Sequence, residues 1–163
     1  MGFKELQRKY DKHVLNLARN DFVKNFDTIL KHIVSIDTPN ISADMKHDVT
    51  AFYQKAKEYF TDQSVQSLID NKYEIRAYAG NILAKNGLIQ LGKELRDKQY
   101  PPDEIKDMIA KISKAHTAIY VAFTPLEKGM HNLKNYESPK ELADNSTESE
   151  GDSVEQKTGT SQP

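Results

Sequence analysis

The stretch YEIRAYAGNILAKNGLIQLGKEL, residues 73–95, is apolar on more than one side when wound at helical spacing. Ala77, Gly80 and Asn81, Ala84, Leu88, Leu91 and Leu95 recur every three or four residues along one stripe, and Ile75, Tyr78, Ala79 and Ile82 along another. A helix with two apolar stripes needs neighbours on both sides, so the stretch is expected at the centre of a helical bundle. Its first stripe is narrow at Ala77, Gly80 and Ala84 and wide at the leucines, which predicts a neighbouring backbone close to Gly80 and diverging beyond it. Gly87, after Asn86, offers another reading: a left-handed C-cap there would divide the stretch into two helices.

Working outward, the same period governs nearly every segment. Residues 3–36 contain neither proline nor glycine and carry two stripes. Phe3, Leu6, Tyr10, Val14 and Leu17 lie on one; Leu15, Ala18, Phe22, Phe26, Ile29, Ile33 and Ile36 lie about a third of a turn away. One straight groove cannot receive both. Either the helix breaks near residues 16–20 or its first half faces a different partner from its second. Unbroken, it would extend about 50 Å and protrude from a body whose radius of gyration is about 14 Å.

The turn Ser35-Ile36-Asp37-Thr38-Pro39-Asn40 ends this helix, and Ser42 is placed to cap a second over residues 43–60. The inward face of that helix is Met45, Val49, Phe52, Tyr53, Ala56, Tyr59 and Phe60. After Thr61-Asp62-Gln63-Ser64, a short helical turn at Val65, Leu68 and Ile69 leads into the central stretch. Pro101-Pro102 forces an extended link, and Asp103 and Glu104 then favour a helix N-terminus. Ile105, Met108, Ile112, Ala115, Ile119 and Ala122 make the three-four seam of an antiparallel bundle. Thr124-Pro125-Leu126-Glu127 has the order of an N-cap, a first-turn proline and a capping-box glutamate, and is expected to begin another short helix. No segment alternates with period two. The expected fold is therefore all-α: an antiparallel bundle of four to five helices with a long N-terminal helix.

The chain has no cysteine and a formal net charge of −1. It can hold no disulfide, thiolate nucleophile or cysteine-ligated zinc, which fits a reducing compartment. MGFKELQRKY lacks the apolar core of a signal peptide, and no window reaches about 18 consecutive apolar residues, so a soluble, cytoplasmic protein without a membrane partner is expected. Leu6 stands where a myristoylation signal has Ser or Thr. Charge is spread unevenly, with 21 Lys/Arg against 17 Asp/Glu through residue 135 and 2 against 7 from residue 136 onward. The segment ESPKELADNSTESEGDSVEQKTGTSQP, residues 137–163, has too few apolar residues to offset the entropy of ordering. Two regions are therefore expected: a helical bundle domain over 1–136 and a disordered acidic tail over 137–163.

No phosphate-cradling glycine loop, HExxH, G-x-S-x-G or EF-hand loop occurs. A di-metal centre in a bundle needs Glu-x-x-His on two helices, which neither Asp44/His47 nor Glu127/His131 supplies, so no metal, cofactor or catalytic residue is assigned. His13, His47 and His131 stand among polar residues, while His32 and His116 sit beside apolar faces and read as hydrogen-bonded core residues. Two binding candidates remain. The stripe Phe3, Leu6, Tyr10, Val14, Leu17 should be covered by another copy, a protein partner or the bundle itself, and the leading functional reading is a non-enzymatic interaction or assembly protein. Lys4, Arg8, Lys12 and Arg19 fall within about 80° of one helix face. They carry the alternative, a basic arm contacting nucleic-acid phosphates, with the acidic tail positioned to cover it. Glu5 and Asp11 dilute that patch, and the solvated face of an ordinary helix also accounts for it. An enzyme or small-ligand binder is the third reading, and no pattern of residues selects it.

Overall fold

The computed structural model describes residues 2–134, which form six α-helices and no strand. They are α1 (Phe3–Ser35), α2 (Ala43–Thr61), α3 (Val65–Asp70), α4 (Lys72–Leu83), α5 (Lys85–Asp97) and α6 (Pro102–Lys134). By contact density the chain divides into Met1–His131 and Asn132–Pro163. The boundary expected at residue 136 and the acidic tail over 137–163 lie outside the described residues.

Local chemistry places the helix starts where the sequence signals them. Ser42 Oγ accepts from the Met45 amide at 3.1 Å and caps α2, and Ser64 Oγ accepts from the Ser67 amide at 3.0 Å and caps α3. Glu104, in the first turn of α6, accepts from the Ser42 amide at 3.0 Å and from its hydroxyl at 2.8 Å, tying the beginning of α6 to that of α2.

The core forms where α1, α2, α4 and α6 meet. The Phe22 ring stands edge-on to Phe60 at 4.9 Å and to Phe123 at 5.5 Å, and Tyr78 meets Phe60 at 5.7 Å while stacking on Tyr59 at 3.7 Å. Each such pair adds about 0.5–1.5 kcal/mol to what burial alone supplies. Of the face expected on α2, Met45, Val49, Tyr53, Ala56 and Phe60 are fully buried, with Phe52 and Tyr59 half-buried. Of the seam expected on α6, Ile105, Met108, Ile112 and Ile119 are buried and the two alanines half-buried. His116, Phe123, Leu126 and Met130 continue that face as the 3.6-residue period drifts from the three-four seam.

Two expectations need correction. The stretch 73–95 forms two helices, the division that the reading at Gly87 allowed, but not in the way expected there. It breaks at Ala84, whose backbone is extended at φ −79°, ψ −174°, and Gly87 is not a C-cap but lies in the first turn of α5. A Cβ at Gly87 would sit 1.8 Å from the Ile82 carbonyl oxygen, so only glycine lets α5 leave α4 at this angle. At Gly80, where a close approach was expected, a Cβ would meet nothing within 4 Å, and Ala77 and Asn81 are exposed. Small residues carry little area to bury, so Ile75, Tyr78 and Ala79 set the rotation of α4 and leave the narrow stripe facing outward.

The long N-terminal helix expected from the sequence is present: α1 is a single unbroken helix of 33 residues. The second correction is that no new helix begins at Thr124, because α6 runs on through Pro125. A proline inside a helix costs about 3 kcal/mol. Here Pro125 is exposed, its missing hydrogen bond leaves the carbonyl of exposed Val121, and neighbouring Phe123, Leu126 and Met130 are buried. Burial of about 1.5–3 kcal/mol for each of those three residues outweighs the local cost.

The two glycines should respond oppositely to one methyl group. Gly80→Ala is expected to stabilise by about 0.5–1 kcal/mol through helix propensity, and Gly87→Ala to destabilise by about 1–3 kcal/mol, both read from chemical denaturation. Equal responses would contradict the placement of the α4–α5 bend.

Candidate functional site

An α-helix without a break has one rotational setting along its whole length. In α1 that setting is decided by Leu15, Phe22, Phe26, Ile29 and Ile33, all buried, and Leu15 lies against the backbone of Gly129 in α6, where a Cβ would approach its side chain to 3.1 Å. The other stripe consequently turns away from the body. Phe3 is 79% exposed, Leu6 56%, Tyr10 63%, Val14 44% and Leu17 47%. The step from Phe3 to Leu17 covers 14 residues in four intervals, an average of 3.5, which is the heptad period of coiled coils. Beyond Leu17 the outward side becomes polar, with Asp21, Lys24, Thr28 and Lys31 exposed.

The four cations of the basic arm are not grouped on a free surface. At 100° per residue they share the side of α1 that carries Leu15 and Phe22, with Lys4 exposed and Arg8, Lys12 and Arg19 half-buried. Arg19 is built into the fold. Its Nη1 donates to the carbonyls of Phe60 and Thr61, both at 3.4 Å, and to that of Gln63, so the guanidinium satisfies the end of α2 and adds favourable charge to its C-terminus. Its Nη2 and Nε donate to Asn16 and Asn20, each at 2.9 Å.

Two polar side chains of the core, His116 at 1% exposed and Tyr53 at 0%, face one another. His116 is bonded on both sides of its ring. Its Nδ1 accepts from the Tyr53 hydroxyl at 2.7 Å and its Nε2 donates to the Ala84 carbonyl at 3.0 Å, which at the α4–α5 break also accepts from the Gly87 amide at 2.8 Å. The expected hydrogen-bonded core histidine is therefore present at His116, whereas His32 is exposed and meets the Lys111 carbonyl at 2.7 Å. Burial holds the His116 imidazole below its ordinary 6.5, against the opposing pull of the Ala84 and Leu83 carbonyls, and burial raises the Tyr53 hydroxyl. Both partners are satisfied and sealed in the core, so this pair positions helices and reaches no substrate.

Outside the core, Asp48 of α2 accepts from Tyr100 and pairs with Lys98 at 3.1 Å, clamping the α5–α6 link. The Tyr100 bond holds the Asp48 carboxyl below its ordinary range; burial and that bond push Tyr100 up to about 12. Glu127 accepts from Arg76 at 2.6 Å and His131 Nδ1 from Lys72 at 3.0 Å, so Glu127 and His131 are each held by α4 rather than converging.

Among the described residues no group of three or more His, Cys, Asp or Glu could hold a metal ion, and no helix is long and apolar enough to cross a membrane. A recess of ≈ 350 Å³ between α4 and α6 is lined by Tyr73, Arg76, Ala77, Tyr120, Phe123 and Glu127, with the Arg76–Glu127 ion pair part of its wall. A larger groove of ≈ 480 Å³ runs between α5 and the start of α6. The sequence reading passed over it because it placed Leu88 in a buried stripe. The signal was the run Lys85, Leu88/Ile89, Gly92, Arg96, which lies on one helix face. Compared with family models, with curated proteins and with solved structures, the chain matches none.

The Tyr53–His116 pair has a pH signature. With the folded imidazole below 6.5, the unfolded chain takes up the proton first as pH falls, so this contribution is full above 6.5 and is lost below it. His116→Gln keeps an acceptor and a donor without the titration. Its thermal midpoint should be lower than wild type at pH 8 yet flatter between pH 7 and 5.5; parallel declines would contradict the assignment.

Proposed function

We propose that the protein is an assembly module that associates with a second copy of itself through the outward stripe of α1. The observation that carries this reading is the row Phe3, Leu6, Tyr10, Val14 and Leu17, exposed together at heptad spacing on a helix whose opposite side is locked into the core. Five such side chains expose roughly 500 Å² per copy, since one Phe or Tyr alone accounts for 150–250 Å² when buried. A two-copy seam therefore buries on the order of 1,000 Å², the lower end of specific interfaces, which supports reversible association in the micromolar range.

Charge on the flanks selects the orientation. Lys9 and His13 border the stripe on one side and Gln7 and Asp11 on the other, with Gln7 Nε2 donating to Asp11 at 3.0 Å. Parallel helices bring opposite flanks together and antiparallel helices bring each flank against itself. Parallel pairing therefore sets Lys9 beside Asp11 of the second copy, whereas antiparallel pairing opposes Lys9 to Lys9. The basic-arm reading has less support, because the fold already uses Arg19 to complete α2.

Sedimentation equilibrium over a wide concentration range tests the proposal. Replacing Leu6, Tyr10 and Val14 by glutamine should abolish the concentration-dependent mass while helicity and thermal midpoint stay close to wild type. Lys9→Asp should weaken association, and adding Asp11→Lys should restore it. A monomeric wild type up to about 500 μM, or a stripe variant that loses stability at unchanged mass, would overturn the reading.

A further inference from the structure

The groove between α5 and α6 has a composition that the assembly seam does not explain. Its floor is Leu88, Ile89, Gly92, Ile105 and Ile109, and the charged lining residues are Lys85, Arg96 and Lys106, with no carboxylate in the lining. Ile89 remains 47% exposed. On α5 the lining positions follow steps of three and four over 11 residues, about 16 Å or three helical turns, and α6 supplies a matching ridge at Pro102, Ile105, Lys106 and Ile109. Position 92 in its lining is glycine, and a Cβ there would meet only the far end of the Arg96 side chain, at 3.5 Å.

We infer that this groove is a docking site for an amphipathic helix of a partner protein, apolar on the inward side and acidic along its flanks. The length and the three-four spacing fit a helix laid into a groove, with anchors at i, i+3 or i+4, and i+7. The cations supply the complementarity, since like charge along a groove excludes a basic partner. Two occupants from this chain are excluded on the same grounds. The outward stripe of α1 is flanked by Lys9 on one side and Asp11 on the other, so it does not offer acidic flanks on both sides to the cations of the groove. The acidic segment 137–163 has the right sign but only Leu142 and Val154 as large apolar residues, too few to fill the floor.

A display library of helical 14-residue peptides, selected on the full-length protein and counter-selected on Gly92→Leu, tests the inference. The variant fills the recess with a side chain that the backbone accommodates, and circular dichroism and thermal midpoint check its fold. Enriched peptides should carry the three-four apolar spacing with flanking Asp and Glu, and the best should bind Gly92→Leu about tenfold more weakly than wild type, with a similar loss in Lys85→Glu/Lys106→Glu. The second variant alters only exposed positions and carries the test if the first fails to fold. Enrichment of basic peptides, affinity unchanged in the charge-reversed variant, or no peptide separating wild type from the filled groove would overturn the inference. So would phosphatidylserine vesicles that bind wild type and lose that binding on Gly92→Leu, which would make the groove a lipid site.

Discussion

The meeting of Phe22, Phe60 and Phe123 controls more of this molecule than any other contact. Three rings from α1, α2 and α6 pack within 4.9–6.0 Å, Phe22 edge-on to the other two, and together with Phe26, Ile29 and Ile33 they fix how α1 is rotated against the body. Because α1 has no break, that rotation propagates to its N-terminal end and forces Phe3, Leu6, Tyr10, Val14 and Leu17 outward. A kink near Asn16 would have let the first half turn inward. The uncapped helix interior has no glycine or proline to make one, and Arg19 holds this region by binding the end of α2.

A second constraint acts at the other side of the bundle. At the break the Ala84 carbonyl accepts both from the Gly87 amide at 2.8 Å and from His116 at 3.0 Å, and Tyr53 stands behind the imidazole, so the bend is tied to α6 and through it to α2. Gly87 gives α5 room to pass the last turn of α4. The new direction of α5 lays its face from Lys85 to Arg96 beside α6 and so creates the basic-rimmed groove. Both surfaces proposed for binding thus follow from how two helices are held: α1 kept whole and the 73–95 stretch bent.

The all-α class, the capping serine at 42 and the inward face of α2 were legible because each depends on residues within a few positions of one another. The two stripes of α1 were also legible, including that one groove could not serve both. Which stripe faced the body was not, since that follows from area: Phe22, Phe26, Ile29 and Ile33 find partners on α2 and α6 that sequence spacing does not reveal. Gly80 and Gly87 misled for a related reason. Both look like small residues in an apolar helix, and only the path of the chain at Ala84 separates an open position from one that tolerates no Cβ. Pro125 was read from its local motif, but the buried residues around it kept α6 continuous. Arg19 read as one of four surface cations because its acceptors are the carbonyls at the end of a helix more than 40 residues away.

The chain contains no cysteine, so a single introduced one can carry a spin label without background. Lys24 is exposed on the outward side of α1, beyond the stripe. Labelled at Lys24→Cys, a parallel pair should give a dipolar distance below about 30 Å, from an interaxial separation of about 8–10 Å plus two label arms. An antiparallel pair centred on Tyr10 would offset the labels axially by about 42 Å. A short distance that vanishes when Leu6, Tyr10 and Val14 are replaced is the result expected for an outward stripe covered by a second copy. No intermolecular modulation at concentrations above the micromolar range would contradict it.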